Sequence, residues 1–144
     1  MKYGMSGIVI RRTFGAFSNL LVQVMKSNER HKRTKRSRNK HDKSRVLLVE
    51  DHPIVLRGLA ELLGEEPDLE ICGEVGDGKG ALNAVKKLQP DLAIIDLSLK
   101  DRSGLELIES LKAQHPQLVV LVLAMHDEFL YAERAFEQAP VATL

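Results

Sequence analysis

The feature that most constrains the fold is an alternation of short apolar runs with amphipathic stripes along residues 45–139. Each apolar run predicts a strand, and the residues after it carry apolar side chains three or four positions apart, which predicts a helix. The order β-α-β-α-β-α-β-α predicts an α/β domain with a parallel sheet covered on both faces. The predicted strands are Val46–Val49, Leu69–Val75, Leu92–Asp96 and Leu118–Leu123.

Proline and glycine residues mark the ends of the predicted helices. Pro53 fits the first turn of the first helix, and Gly64 ends it. Pro90 ends the second helix and Pro116 limits the third, because proline cannot continue a helix. A fourth helix is predicted from the apolar spacing of Phe129, Ala132 and Phe136.

The net charge of +1 hides a division between two parts of the chain. Residues 1–45 hold 13 Lys/Arg and 2 acids, a net charge of +11, and residues 46–144 hold 8 Lys/Arg and 18 acids, a net charge of −10. Residues 26–45 alone carry ten Lys/Arg and almost no apolar side chain, so they cannot bury enough surface to offset their ordering entropy. We therefore predict that residues 1–43 are a basic, disordered extension outside the fold.

Three interpretations of residues 1–25 stay open. Arg11, Arg12 and Phe14 stand in the order of a twin-arginine export signal, and the acid-free composition is also typical of an organelle transit peptide. Alternatively, translation starts at Met25. The basic arm, residues 26–45, offers only a weak prospect of nucleic-acid binding, because charge runs carry no base-reading chemistry.

Composition excludes several classes of site and protein. The single cysteine, Cys72, excludes an internal disulfide framework and a cysteine-based zinc site. Aromatic residues make up 4% of the chain, which argues against a base-stacking platform. No stretch approaches the roughly 20 apolar residues of a membrane span, so we expect no membrane association and a cytoplasmic location.

Three carboxylates follow predicted strands at the positions where open α/β sheets bind their ligands. Glu50 and Asp51 come after the first strand, and Asp96 ends the third. A right-handed crossover brings those two strand ends together. Clustered hard oxygen ligands suit Mg²⁺, and an Asp can act as a nucleophile that forms an acyl phosphate.

Three blocks of sequence resemble the receiver domain of two-component response regulators of the LuxR/FixJ type. They are VLLVEDHPIVLRGLAELL, DLAIIDLSLKDRSGLELI and VLVLAMHDEFLYAERAF, and the resemblance covers residues 44–139. It implies a flavodoxin-like, doubly wound sheet of order 2-1-3-4-5. It also implies a non-enzymatic phosphorelay module that accepts a phosphoryl group from a histidine kinase.

The resemblance also implies roles for individual residues. Asp96 is the implied phosphoacceptor, and Glu50 and Asp51 are the implied acidic pair. The implied metal site consists of Glu50, Asp51, Asp96 and the main-chain carbonyl of Ser98, of which the last three would hold Mg²⁺ directly. The fourth helix belongs to the output face in this family, which implies possible self-association there.

The sequence departs from the family pattern in two places. Ala124 stands where the family has Thr or Ser, whose hydroxyl contacts the phosphoryl oxygen, and alanine cannot donate a hydrogen bond. The family's fifth strand, with its lysine, has no counterpart, so the domain is expected to be truncated, with residues 140–144 as a non-family tail. The strand Leu118–Leu123 is then expected to be an exposed edge able to pair with another chain.

Two other functions remain as alternatives. An Asp-nucleophile phosphatase usually has a second Asp two residues after the nucleophile, where this chain has Ser98. A remnant that cannot be phosphorylated, serving as a protein-interaction module, is favoured by Ala124 and by the absent lysine.

Overall fold

The structure, a computed structural model, describes residues 7–11, 43–124 and 141–142, with side chains described for 43–123. Six strands and three helices are formed within these ranges. In chain order they are β1 (Gly7–Arg11), β2 (Ser44–Val49), α1 (Pro53–Gly64), β3 (Leu69–Val75), α2 (Gly78–Leu88), β4 (Leu92–Asp96), α3 (Gly104–Gln114), β5 (Val119–Ala124) and β6 (Val141–Ala142).

The strands form one parallel sheet of order β3-β2-β4-β5-β1-β6. The four strands predicted from the sequence are β2, β3, β4 and β5, and their order matches the 2-1-3-4 part of the flavodoxin-like arrangement. That prediction is confirmed. The predicted fourth helix, with Phe129, Ala132 and Phe136, lies outside the described residues.

Two apolar layers hold the helices against the sheet. Leu47 and Val49 of β2 face one layer with α2 and α3, while Val46 and Leu48 face the other with α1. All four side chains are at most 1% exposed. Burial on both faces explains why β2 is an uninterrupted apolar run rather than an alternating one.

The prediction that the strand Leu118–Leu123 is an exposed edge is wrong. β5 pairs with β1 from Gly7 opposite Val120 to Arg11 opposite Ala124, and β1 pairs in turn with β6. Ile8, Val9 and Ile10 are β-branched, which favours a strand, and they offer backbone partners to an edge that would otherwise be open. Self-association through an open β5 edge therefore loses its structural basis.

Residues Gly7–Arg11 thus depart from the disorder predicted for residues 1–43. The basic charge that predicts disorder is concentrated in residues 26–45, whereas residues 7–11 are mildly apolar. Residues 12–42 lie outside the described ranges, so disorder and nucleic-acid binding there stay predictions.

Among the helices of the described part, none is long and apolar enough to cross a membrane.

The end of α2 supplies a stability prediction. Gln89 adopts a left-handed conformation with φ of +50°, the only positive φ among the described residues. Replacing Gln89 with Gly is expected to raise the free energy of unfolding by about 0.5–1 kcal/mol, because glycine adopts this conformation without strain. Urea denaturation measures the change, and Gln89→Ala, which keeps the strain, is the matched control. A Gly variant no more stable than the Ala variant would contradict the prediction.

Candidate functional site

The carboxyl ends of the neighbouring strands β2 and β4 bring three acidic side chains together. Glu50 and Asp51 follow β2, and Asp96 is the last residue of β4. One side-chain ligand atom from each of them, and one from His52, all lie within 4.8 Å of one another. The juxtaposition predicted from the crossover is therefore present, and we call Glu50, Asp51 and Asp96 the acid cluster.

Glu50 is the most enclosed member of the cluster, with 1% of its surface exposed. Its backbone N–H donates to the Val75 carbonyl at 3.0 Å, which joins the end of β2 to the end of β3. Oε1 accepts from the backbone N–H of His52 at 2.9 Å and lies 2.7 Å from His52 Nδ1. These contacts fix the carboxylate at the base of the site.

Burial raises the pKa of Glu50 above its ordinary value of 4.5. The hydrogen bond and like charge of Asp96 raise it further, while the contacts with His52 lower it. Two enclosed carboxylates side by side are costly when both are ionised. A cation at this position would remove that cost.

Asp51 connects the two strand ends through the loop after β4. Its Oδ2 accepts from the backbone N–H of Lys100 at 3.1 Å. Its Oδ1 is buried and lies 2.9 Å from His52 Nδ1, yet no group among the described residues donates a hydrogen bond to it. A buried carboxylate oxygen without a donor is suited to a metal ion.

Asp96 is 2% exposed and is held by Ser98. Both the backbone N–H of Ser98, at 3.0 Å, and its hydroxyl, at 2.9 Å, donate to Asp96 Oδ1. The sequence prediction assigned Ser98 only a main-chain carbonyl. The Ser98 hydroxyl and N–H also have a structural role, because two donors to one oxygen restrict rotation of the Asp96 carboxylate.

His52 also belongs to this group of side chains, although its position beside Pro53 favours a role in helix entry over the tuning of a metal site. Its imidazole folds back onto both preceding acids, at 2.7 Å from Glu50 and 2.9 Å from Asp51, while 48% of its side chain stays exposed. The sequence signal for this role is the position of His52 directly after the acidic pair. A turn that leads into a helix can bring a side chain back to the residue two positions earlier, here Glu50. The helix N-terminus itself was predicted correctly.

The donor set fits Mg²⁺. Carboxylate oxygens are hard ligands, the cluster concentrates like charges in an enclosed place, and Asp51 Oδ1 has no donor among the described residues. The backbone of β5 places Ala124 at the same end of the sheet, since Asp96 is opposite Leu123, the residue before it. Ala124 offers no hydroxyl to this end of the sheet.

Curated relatives with similar sequences are transcriptional regulators. The chain is 40% identical over 82 residues to the transcriptional activator DevR/DosR of Mycobacterium tuberculosis, covering 57% of this chain and 38% of that protein. It is 40% identical over 90 residues to the regulatory protein UhpA of Salmonella typhimurium, covering 62% and 44% respectively. The chain thus spans about two fifths of the length of these relatives.

Solved structures of similar fold are response regulators. A LuxR-family two-component response regulator from Aurantimonas has a TM-score of 0.63 at 29% identity, covering 71% of this chain and 74% of that one. The isolated receiver domain of RcsB from Salmonella enterica, solved with the phosphomimetic BeF₃⁻, has a TM-score of 0.61 at 29% identity. Here 71% of this chain and 78% of that one are covered.

The family model that describes the response regulator receiver domain matches residues 46–143. The match covers more than half of the chain and includes the three helices, the acid cluster, most of β2 and strands β3 to β6, whereas β1 lies before it. It continues to within one residue of the end of the chain. The chain therefore belongs to the response regulator receiver domain family of two-component systems.

Proposed function

We propose that this receiver module accepts a phosphoryl group from a histidine kinase onto Asp96, with Mg²⁺ as cofactor. The observation that supports the proposal is the convergence of Glu50, Asp51 and Asp96 within 4.8 Å at the carboxyl end of the sheet. Phosphoryl transfer needs a positioned nucleophile and neutralisation of charge more than covalent assistance from the protein. The acid cluster supplies the nucleophile and a place for the cation.

Asp51, Asp96 and the main-chain carbonyl of Ser98 are the proposed metal ligands, and Glu50 lies beside them. When bound, Mg²⁺ would neutralise charge on the cluster and on the equatorial oxygens of the phosphoryl group. An Asp96 carboxylate oxygen attacks phosphorus in line with the P–N bond of the phosphohistidine. That bond breaks, its electron pair stays on the imidazole, and Asp96 becomes an acyl phosphate.

The two donors of Ser98 prepare this step. They restrict rotation of the Asp96 carboxylate, so less conformational freedom is lost when the phosphoryl donor arrives. The contacts with His52 stabilise the negative charge of Glu50. They therefore hold the acidic pair in place before a cation binds. We propose a signalling module loaded with one phosphoryl group per chain, rather than an enzyme that turns over a substrate.

Intact-mass spectrometry of the full chain with Mg²⁺ and acetyl phosphate tests the proposal. The phosphoryl group leaves the donor as acetate is released, and we expect one phosphoryl group on the parent protein and none on Asp96→Ala. Glu109→Gln removes an exposed carboxylate of α3 and is the matched control, which should be phosphorylated like the parent. Equal incorporation in Asp96→Ala would contradict the proposal.

Failure to phosphorylate a correctly folded parent would favour an interaction module that works without phosphorylation, for which Ala124 is the supporting observation. Steady turnover of an aryl phosphate would instead favour the phosphatase. The mass measurement and a phosphate-release assay on the same samples separate these outcomes.

A further inference from the structure

The loop between β4 and α3, residues 97–103, contains the backbone carbonyl that is proposed above as a metal ligand. A side-chain ligand can reorient about its own bonds, whereas the position of the Ser98 carbonyl depends on the conformation of the loop backbone. Leu99, the next residue, is 8% exposed and packs in the apolar layer with α2 and α3, which anchors the middle of the loop. Contacts made by the rest of the loop therefore determine where this carbonyl lies.

Two hydrogen bonds join the following residues of the loop to two different elements. The backbone N–H of Lys100 donates to Asp51 Oδ2 at 3.1 Å, which joins the loop to the end of β2. The Asp101 side chain accepts from the backbone N–H of Gly78 at 2.9 Å, which joins the loop to the first residue of α2. Successive residues are thus held by the acid cluster and by α2.

The start of α2 needs an acceptor from outside the helix. The first N–H groups of a helix have no partner within it. Asp77, the residue before α2, accepts from the Gly80 N–H at 2.6 Å and caps one of these groups locally. The Gly78 N–H is bonded instead to Asp101, 23 residues later. A carboxylate is favoured at this place because the N-terminus of a helix carries a partial positive charge.

Gly78 allows the loop to approach α2 closely. It is buried, and a Cβ there would overlap Arg102 Cδ and would lie 2.7 Å from Arg102 Cγ and 3.3 Å from Asp101 Oδ2. The segment before α2 is itself fixed to the acid cluster, because the backbone N–H of Glu50 donates to the Val75 carbonyl at 3.0 Å. The contact of Asp101 with α2 therefore places the loop relative to Glu50.

We propose that Asp101 is a positioning residue of the metal site, whose carboxylate ties the loop to α2 and thereby sets where the Ser98 carbonyl lies. The inference rests on the proposed Mg²⁺-dependent phosphorylation of Asp96. A ligand that is already held in place loses less conformational freedom when the metal binds, so the tie raises the affinity for Mg²⁺. Asp101 acts on the metal through the loop and is not itself a ligand.

Titration calorimetry of the full chain with Mg²⁺, below the melting temperature of each variant, tests the proposal. Asp101→Ala should weaken binding about tenfold, the lower end of the effects of residues that orient metal ligands. Asp101→Asn removes the charge but keeps an acceptor oxygen for the Gly78 N–H, so it should recover most of the affinity. Glu106→Ala removes another exposed carboxylate, on α3, and should bind like the parent, which separates positioning from a loss of negative charge.

Gly78→Ala approaches the same contact from α2. Its methyl group would displace the loop, so it should weaken Mg²⁺ binding about threefold in the parent and by less in Asp101→Ala, where the contact is already lost. Gly58→Ala is the matched control, because a Cβ there meets no atom within 4 Å, and it should leave the affinity unchanged in both backgrounds. Equal effects of Gly78→Ala in the two backgrounds would contradict the tie between Asp101 and α2.

The Mg²⁺ dependence of phosphorylation by acetyl phosphate is a second readout. Asp101→Ala should need about ten times more Mg²⁺ for half of its maximal rate, with a maximal rate within about twofold of the parent, because the loss is in metal binding. Ser98 still holds the Asp96 carboxylate in this variant. A lowered maximal rate at an unchanged Mg²⁺ requirement would overturn the positioning of a metal ligand.

The outcomes separate this inference from the proposed function. A phosphorylated parent, with equal Mg²⁺ affinities for the parent and Asp101→Ala or for the Asn and Ala variants, overturns the role of Asp101 and leaves the proposed function intact. A parent that binds Mg²⁺ but takes no phosphoryl group overturns the proposed function, and calorimetry then decides for Asp101. A folded parent that binds no Mg²⁺ overturns both.

Discussion

Replacing Gly104 with Ala should lower the free energy of unfolding by about 2–3 kcal/mol, because a methyl group at this position has no room. A Cβ on Gly104 would lie 2.6 Å from Leu97 Cα, 2.9 Å from the Asp96 carbonyl oxygen and 3.0 Å from that of Leu97. All three atoms belong to the backbone, so no side-chain rotation relieves the overlap. The strand end that carries Asp96 or the start of α3 must shift instead.

Urea denaturation measures this change, and Gly58→Ala is its matched control. A Cβ on Gly58, inside α1, meets no atom within 4 Å, and alanine favours a helix by about 0.5–1 kcal/mol over glycine. The same substitution should therefore destabilise the protein at one position and stabilise it at the other. Equal effects at both positions would show that backbone crowding is not what requires Gly104.

The same crowding connects Gly104 to the site. The backbone N–H of Gly104 donates to the Leu97 carbonyl at 3.3 Å, and Leu97 donates to the Leu123 carbonyl at 3.0 Å. These bonds hold the loop after β4 between α3 and the end of β5. Displacing α3 should therefore also misplace Ser98 and weaken its hold on Asp96.

The central part of the fold was predictable because strong local signals agree with one another. The helix α1 begins at Pro53 and ends at Gly64, as predicted. The apolar runs that end at Val75 and Asp96 are the observed strands β3 and β4. The central strands β2 and β4 are buried on both faces, as their uninterrupted apolar runs predict for a parallel sheet. Their order followed from the resemblance and is confirmed.

The place of β1 was not predictable from the same signals. A five-residue run of sequence GIVIR has no amphipathic helix beside it and precedes a strongly basic segment. Its pairing depends on an edge contributed by Val119–Ala124, more than a hundred residues later in the chain, and sequence periodicity does not report such long-range pairing.

The acid cluster was predictable as a set of strand-end positions, whereas its hydrogen bonds were not. Glu50, Asp51 and Asp96 converge because parallel strands end on one side of the sheet. The contacts of His52 and Ser98 depend on turns of two residues, whose side-chain directions no periodic pattern encodes. These contacts determine how much of the charge within the cluster is compensated before a cation binds.

Because the pKa of Glu50 is raised in the folded state, the free energy of unfolding should depend on pH. Below about 4.5 the carboxyl group is protonated in both the folded and the unfolded state, so its burial carries no penalty for ionisation. As the pH rises through the raised pKa, the folded state must ionise a buried acid beside Asp96. In EDTA, the free energy of unfolding should therefore fall over this range, and it should fall less in Glu50→Gln.

Neutralising Asp96 should stabilise the metal-free protein, although it removes the proposed phosphoacceptor. In EDTA at pH 7, Asp96→Asn is expected to raise the free energy of unfolding by about 1–2 kcal/mol, because one of two adjacent buried charges is lost. The amide oxygen of Asn still accepts from Ser98, so the hydrogen bonds to Oδ1 have a replacement. Thermal denaturation in EDTA measures this change.

Adding Mg²⁺ should reverse the ranking of the two proteins. At a hundredfold excess over its Kd, the ion adds about 2.7 kcal/mol to a protein that binds it only when folded, and Asp96→Asn should gain much less. Glu61→Gln removes an exposed carboxylate from α1 and should behave like the parent under both conditions, which separates the cluster from a general effect of net charge. If Asp96→Asn is less stable than the parent in EDTA, the like charges are already compensated within the folded chain. In that case His52 and the backbone donors, rather than a cation, would be what stabilises the acid cluster.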